Sequence, residues 1–301
     1  MKTETHNFSV GICAFNEADN IGRLLKSIFD QHLGRKYVLK EVIVIASGCT
    51  DETENIVRSF AKIHPKVKLV SEKKRLGKAR AVNTFIAKAA SNFLILQSAD
   101  TLTSNTCYRF LLDKLESPNT GLAAGKVVPL DSINDFLGFA NSLKWQLHHM
   151  INVRFPERPK VGELIAFKKI FNRIPPETAV DEASIEPLIH LQGFSIAYEP
   201  RAIIYNSGPK TLREYLSTRR RIYAGHLVTK KKYAYEIITF SALKIMPVFL
   251  NYITHHPKHI PWSIIIVFLE IVARVAGHMD IVFKKRSHTV WKVAASSKKL
   301  T

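Results

Sequence analysis

Over its first hundred residues the sequence alternates short apolar runs with stretches of helical periodicity, and this alternation constrains the fold more than any other feature. Phe8–Ala14 (FSVGICA), Glu41–Ala46 (EVIVIA), Val67–Ser71 and Phe93–Leu96 read as strands. Between them, Ala18–Asp30 carries Ile21, Leu24, Leu25, Ile28 and Phe29 at helical spacing, and Glu52–Ile63 and Ala79–Ala90 also read as helices. In Ser47-Gly48-Cys49-Thr50-Asp51 the glycine suits a tight turn, and Thr50 or Asp51 suits a helix N-cap. Short connections between alternating elements predict an α/β fold, a doubly wound and mostly parallel sheet with right-handed crossovers. The C-terminal ends of such strands share one rim, which is where open α/β sheets bind ligands.

The run Phe93–Leu96 stops abruptly in Gln97-Ser98-Ala99-Asp100. A carboxylate at that place has two readings. Asp100 holds a hard divalent cation and, through it, phosphate oxygens, or it caps the next helix. The dinucleotide fingerprint GxGxxG and the P-loop GxxxxGK[ST] are both missing from the sequence, which argues against a nicotinamide enzyme and a P-loop ATPase.

At 301 residues and 46% hydrophobic, the chain is long enough for one large α/β domain plus an extension. Its 44 Lys and Arg against 25 Asp and Glu leave a net charge of +19, which implies an anionic partner: nucleic acid, an anionic membrane surface or a phosphorylated substrate. The sequence carries no recognised nucleic-acid motif, and its basic clusters sit beside apolar runs, so nucleic acid is not the expected partner. Cys13, Cys49 and Cys107 have no metal-ligand spacing and imply a reducing compartment. The segment MKTETHNFSV lacks an apolar signal and predicts no secretion.

Four motifs in order, AFNE (Ala14–Glu17), VIVIASGCTDET (Val42–Thr53), RLGKARAVN (Arg75–Asn83) and LQSAD (Leu96–Asp100), resemble the nucleotide-sugar domain of inverting family-2 glycosyltransferases, the GT-A fold. The resemblance implies that Ala14, Asn16, Glu17 and Ser47 line the nucleoside, and that Lys78 and Arg80 neutralise the diphosphate. It also makes Ser98-Ala99-Asp100 the counterpart of the family's DxD motif, with Ser98 beside the donor and Asp100 as the ligand of Mg²⁺ or Mn²⁺. The chain departs from the pattern at Ala46 and Ser47, where the family usually has two Asp, and at Ser98, where DxD has its first. One carboxylate with diphosphate oxygens still suffices for Mg²⁺, which keeps several waters. The alternative is a non-catalytic relative that binds nucleotide sugar or membrane.

Beyond Asp100 the periodicity predicts a helix over Asn105–Leu115, a strand over Gly121–Val128 and an amphipathic helix over Asp135–Val153. His148 and His149 point different ways on that helix and read as packing or surface residues. Val161–Phe167 resembles the family's strand beside the acceptor, where Gly162 permits close approach. Asp181 and Glu182 open an apolar-periodic segment, Thr178–His190, where two carboxylates suit a helix dipole. The same position resembles the family's ED motif, which implies that Asp181, in preference to Glu182, is the general base. A hydroxyl attacking the sugar opposite the leaving diphosphate must lose its proton to a group on that side, and a single displacement inverts the anomeric centre. Gly193–Tyr198 and Ala202–Tyr205 read as two short strands. The helix Thr211–Thr229 resembles the family's QxxRW element, with Arg221 as its Arg, Thr218 for Gln and Ile222 for Trp.

Ile237–Ile253 and Ile260–Phe283 are each about long enough to span a bilayer. Lys244, Glu270, Arg274 and Asp280 are costly in lipid, and Glu270 and Arg274 are spaced to pair on one helix face. Lys230–Lys232, Lys284–Arg286 and Lys298-Lys299 flank the two runs, as expected for a hairpin with both ends cytoplasmic. An interfacial amphipathic hairpin fits the charges better, and both arrangements stay open. The expected organisation is therefore a transferase domain over residues 1–230 and a membrane-associated hairpin with a basic tail over 231–301. It would work at the cytoplasmic face of the cell membrane on a lipid, lipid-linked saccharide or polysaccharide acceptor.

Overall fold

The computed structural model describes residues 5–283 and 295–298. The clusters Lys284–Arg286 and Lys299 lie outside these residues. In chain order the elements are β1 (His6–Ala14), α1 (Ala18–Phe29), β2 (Tyr37–Ser47), α2 (Thr53–Ile63), β3 (Val67–Glu72), α3 (Lys78–Lys88), β4 (Phe93–Ser98) and β5 (Thr101–Thr103). Then follow α4 (Cys107–Leu115), β6 (Thr120–Pro129), α5 (Phe136–Arg154), β7 (Leu164–Lys168), α6 (Asp181–Leu191), β8 (Ser195–Asn206), α7 (Leu212–Tyr233), α8 (Ala242–His255) and α9 (Ile260–Val282).

Among the described residues the strands form one eight-stranded mixed sheet, ordered β3-β2-β1-β4-β7-β6-β8-β5. The half made of β3, β2, β1 and β4 is parallel, as the alternating pattern predicts. Beyond β4 the sheet is mixed. β7 runs antiparallel to both β4 and β6, whereas β8 runs parallel to β6. Two apolar clusters cover the faces. One packs α1, α2 and α4 through Leu24, Leu25, Val57 and Leu111, and the other packs α3 and α6 through Phe85, Ile86, Ile185 and Ile189. Strands buried on both faces need apolar residues throughout, which is why their runs are nearly continuous in sequence.

The structure departs from the sequence expectation at several points. Ser195–Asn206 is one strand with an irregular register near Gly125, not two, so Glu199-Pro200 is a bulge and not a break. Helix α4 starts at Cys107 with Thr106 as its cap residue, seven positions past Asp100. Asp100 therefore caps no helix. The first C-terminal run is a 3₁₀ turn followed by α8, 14 residues containing Pro247. At ~1.5 Å per residue this is about 21 Å, too short for a ~30 Å hydrocarbon core. Pro257–Val282 is the one segment among the described residues long and apolar enough to cross a membrane, with mean hydropathy 1.9 and 22% of that window buried. Glu270 does not pair with Arg274 but with Arg219 of α7, and it also accepts from Tyr215 at 3.0 Å. Asp280 is bound by Arg220. Both α9 carboxylates thus meet α7 guanidinium groups, and Ile264, Phe268, Ile271 and Val275 remain exposed.

Candidate active site

The C-terminal rim of the parallel strands opens into a cavity of about 680 Å³. Its floor is built from strand ends. Ala14 and Glu17 follow β1, Ser47 ends β2, and Ser98 to Asp100 end β4. Gly48 has φ 69°, and a Cβ there would lie 2.6 Å from the Arg75 backbone nitrogen. Only glycine lets the β2 loop approach the basic turn this closely. Arg75 in turn stacks on Phe15, 4.3 Å from the ring centre.

The structure brings Ala14, Glu17, Ser47, Lys78, Ser98, Asp100, Asp181, Glu182 and Arg221 to this one cavity. Asn16 and Arg80 are not among the lining residues. Asn16, at φ 53°, ties the first loop to the second by accepting from Thr50 N at 2.8 Å. Arg80 lies 3.3 Å from Glu72. Ser47, at one of the two departures from the family pattern, donates to the same Glu72 at 2.6 Å, so a carboxylate from the adjacent strand end stands beside it.

Helix α6 presents Asp181 and Glu182 on its first turn. Lys78, at the start of α3, lies 2.9 Å from Asp181 Oδ1 and 3.9 Å from Glu182 Oε1. Withdrawal from water would lower the Lys78 pKa, but the two carboxylates outweigh it and drive it up. Its ammonium therefore sits between the acidic pair, where a diphosphate would compete for it. Burial and the Asp181 charge push Glu182 up to about 7, against the pull of Lys78. Asp181 is 4% exposed and its Oδ2 has no hydrogen-bond partner among the described residues. Arg221 donates to the Ala179 carbonyl at 2.7 Å, which holds its guanidinium beside the start of α6.

Sequence reasoning missed a second group of lining residues. Glu163 precedes β7, and burial together with the Asp100 charge raises its pKa. Asn206 and Ser207 end β8; both are buried, and Asn206 Oδ1 and Ser207 Oγ lack partners among the described residues. These oxygens beside Asp100 suit a hard cation such as Mg²⁺ or Mn²⁺. Cys13 also lines the cavity, but burial pushes its thiol up to about 12, so it stays protonated and is a poor ligand. Lys144 and His148 of α5, Lys160, and His226 of α7 also line the cavity, and burial with the nearby Lys160 charge drives both histidines well below the ordinary imidazole range, so the positive charge here belongs to the lysines. Lys160 Nζ is 3.0 Å from His226 Nε2, and Lys144 stands 4.1 Å over the Trp145 ring. Burial brings Lys144 down to about 8 and lowers Lys160. His148 Nε2 and His226 Nδ1 are buried without partners among the described residues. His148 and His149 behave as packing residues should, His148 against Trp145 and His149 at 2.8 Å from Tyr198, but His148 also faces the cavity. The lining from α5, α8 and α9 is largely apolar, with Leu147, Ile151, Ile245, Met246, Phe249 and Ile266, beside the Arg219–Glu270 pair and Arg274.

The profile for glycosyl transferase family 2 matches residues 9–174, more than half of the chain. The chain belongs to that family. It is a glycosyltransferase with a GT-A fold. Poly-beta-1,6-N-acetyl-D-glucosamine synthase of Staphylococcus epidermidis is 22% identical over 302 residues, covering 96% of this chain and 70% of that enzyme. The synthase of Staphylococcus aureus strain MSSA476 is also 22% identical, over 67% of this chain and 50% of its own length. In structure the family-2 chain is similar to the mannosyltransferase PcManGT from Pyrobaculum calidifontis, solved with GDP-Man and Mn²⁺, at a TM-score of 0.67 and 21% identity over 94% of this chain and 89% of that one. Glucosyl-3-phosphoglycerate synthase from Mycobacterium tuberculosis, solved with Mn²⁺ and UDP, follows at 0.53 and 17% identity, over 74% of this chain and 80% of that one.

Proposed function

We propose that this glycosyltransferase moves a sugar from a nucleotide diphosphate sugar, with inversion, to an acceptor that enters between the C-terminal helices. The observation that carries the reading is the continuity of the cavity, which joins Asp100 and Asp181 at the sheet rim to an apolar lining from α5, α8 and α9. Glu17 and Ser47 would contact the nucleoside, with Asn16 tying the first loop to the second. Arg75, Lys78 and Arg221, which line the cavity, would neutralise the diphosphate, and guanidinium groups suit it because they bind bidentately. Asp100 would hold Mg²⁺ or Mn²⁺, which when bound offsets the charge gathering on the leaving diphosphate. Asp181, with its unpartnered Oδ2, takes the acceptor's proton, and Glu182 beside it holds a sugar hydroxyl or shares that proton.

Of the acceptors the family resemblance allows, the deep half of the cavity favours a lipid or lipid-linked saccharide. Its buried Lys144 and Lys160 suit an anionic group on that lipid, with the neutral His148 and His226 beside them as hydrogen-bond partners. Residues 1–230 would carry the transfer, and 231–301 would hold it on the cytoplasmic face of a membrane. The pairing of Glu270 and Asp280 with α7 supports an interfacial rather than a spanning α9. The test is nucleotide release by detergent-purified protein across UDP-, GDP- and TDP-sugars, with Mg²⁺ or Mn²⁺ and a membrane lipid extract. Release with one donor, abolished in Asp100→Ala and Asp181→Asn, is the expected result. Silence of folded protein with every donor and acceptor would instead favour a non-catalytic nucleotide-sugar-binding relative.

A further inference from the structure

At the position of the first carboxylate of the family's metal motif this chain has Ser98, and a neutral hydroxyl is a weaker ligand for a hard cation than a carboxylate. The sheet brings another carboxylate to the same place from the neighbouring strand. Ser98 N donates to the Glu163 carbonyl at 3.1 Å, one step beyond the pairing of Gln97 with Leu164. Glu163 is held there at φ 55°, in the left-handed region that side chains other than glycine rarely adopt. Thr101, which directly follows Asp100, pairs with Asn206 of β8. Asn206 Nδ2 donates to Glu163 Oε1 at 3.1 Å. Three strands thus converge Asp100, Glu163 and Asn206 on one part of the cavity wall.

A separate observation points to a ligand at this place. Asn206 is 5% exposed, and its Oδ1 has no hydrogen-bond partner among the described residues. Ser207 Oγ, 8% exposed on the same wall, is likewise unpartnered. Buried acceptor oxygens are costly unless something meets them. A group that takes an amide oxygen together with carboxylates is a hard divalent cation.

We infer that Glu163 and Asn206 Oδ1 join Asp100 as ligands of Mg²⁺ or Mn²⁺, Glu163 supplying from the β7 side the carboxylate that Ser98 lacks. The inference rests on the reading of Asp100 as the metal ligand of a nucleotide-sugar transferase. It explains how a chain without DxD keeps a two-carboxylate metal site: the second charge has moved across the β4–β7 pairing.

The experiment is Mn²⁺ titration of the full chain followed by electron paramagnetic resonance, with UDP or GDP as the nucleotide probe. It compares wild type, Asp100→Asn, Glu163→Gln, Asn206→Ala and the double variant Ser98→Asp/Glu163→Gln, with circular dichroism to verify folding. Glu163→Gln keeps the side chain's size and removes its charge. Mn²⁺ affinity is expected to fall about 10- to 100-fold in Glu163→Gln and less in Asn206→Ala. The double variant, which returns a carboxylate to the β4 side, is expected to recover most of the loss. Wild-type Mn²⁺ affinity in Glu163→Gln, alongside loss in Asp100→Asn, overturns the inference and leaves the transferase reading standing. Wild-type protein that binds UDP or GDP without taking up Mn²⁺ has the same consequence. Protein that binds neither nucleotide nor Mn²⁺ overturns both.

Discussion

The two halves of the cavity are built by different means. One half is a rim of strand ends, where backbone pairing fixes Ser47 against Glu72 and Ser98 against Cys13, and Asp100 sits in the turn between Ser98 and Thr101. The other half is a space between helices, where α5, α7, α8 and α9 meet through side chains such as Phe139, Tyr215, Tyr252 and Ile266. Polar groups on the rim are mostly tied to one another, as Lys78 is to Asp181 and Ser47 to Glu72. Both halves leave buried polar atoms unpartnered among the described residues: Asp181 Oδ2, Asn206 Oδ1 and Ser207 Oγ on the rim, and Trp145 Nε1, His148 Nε2 and His226 Nδ1 among the helices. The rim thus leaves oxygens open beside its ion pairs, whereas the helical half leaves ring nitrogens open beside apolar side chains.

The largest effect is expected where the halves join. Asp181→Asn keeps the shape of the α6 start and removes the base. It should lower kcat by about 10²- to 10⁴-fold while leaving donor and acceptor KM within a few-fold. Steady-state kinetics with both substrates varied measures this, and a loss confined to donor KM would place Asp181 in binding instead. Next is the acceptor's tail. If four methylene groups sit between α5, α8 and α9, a homologue shorter by that length loses ~3 kcal/mol of burial, or about 10²-fold in kcat/KM. Equal kcat/KM for long and short tails would break the division between the two halves.

A smaller change is expected from Lys144→Met, which should raise acceptor KM about tenfold, with donor KM unmoved. The pH profile sharpens the same point. Burial and the Asp181 charge place Glu182 at about 7, so below that pH it carries a proton and the acidic pair draws the acceptor's proton less strongly. Burial, with like charge from Arg219 and Lys160, brings Lys144 to about 8 despite Glu163 and Glu270, so above that pH its positive charge is lost. Activity at low acceptor concentration should therefore rise through pH 7 and fall beyond pH 8, and Lys144→Met should abolish the falling limb alone. The smallest catalytic effect belongs to Asp280→Asn, which removes the partner of Arg220 far from both substrates. It should cost about 1–3 kcal/mol of stability by denaturant titration, with kinetics unchanged.

How much of this was legible in sequence differs between the halves for the same physical reason. Apolar runs and helical spacing are local patterns, so β1 to β4 and α1 to α3 can be read within a residue or two of their observed ends, except that β2 starts at Tyr37, four residues before the apolar run shows it. Asp100 and the Asp181-Glu182 pair stand at element boundaries, where a carboxylate is conspicuous. Glu163 is not conspicuous, because it opens a short apolar strand as any loop residue might. Its place beside Ser98 follows from an antiparallel pairing between segments some seventy positions apart. The same holds for Asn206, whose strand reads as two pieces until the bulge at Glu199 joins them to β6. Length and hydropathy made Ile237–Ile253 look like a span; the 3₁₀ turn at Ile238–Phe240 delays the helix to Ala242, and it runs through Pro247 to end at His255.

The sequence by itself determined the class of fold, the rim and three of its carboxylates, because each depends on spacing within one element or on the residue that ends it. Only the tertiary structure decided what those carboxylates face. It set Lys78 between Asp181 and Glu182, Glu163 and Asn206 beside Asp100, and Glu270 and Asp280 on α7 rather than in lipid. These are contacts between distant segments, and local periodicity carries no information about which segments the sheet and the helices will bring together.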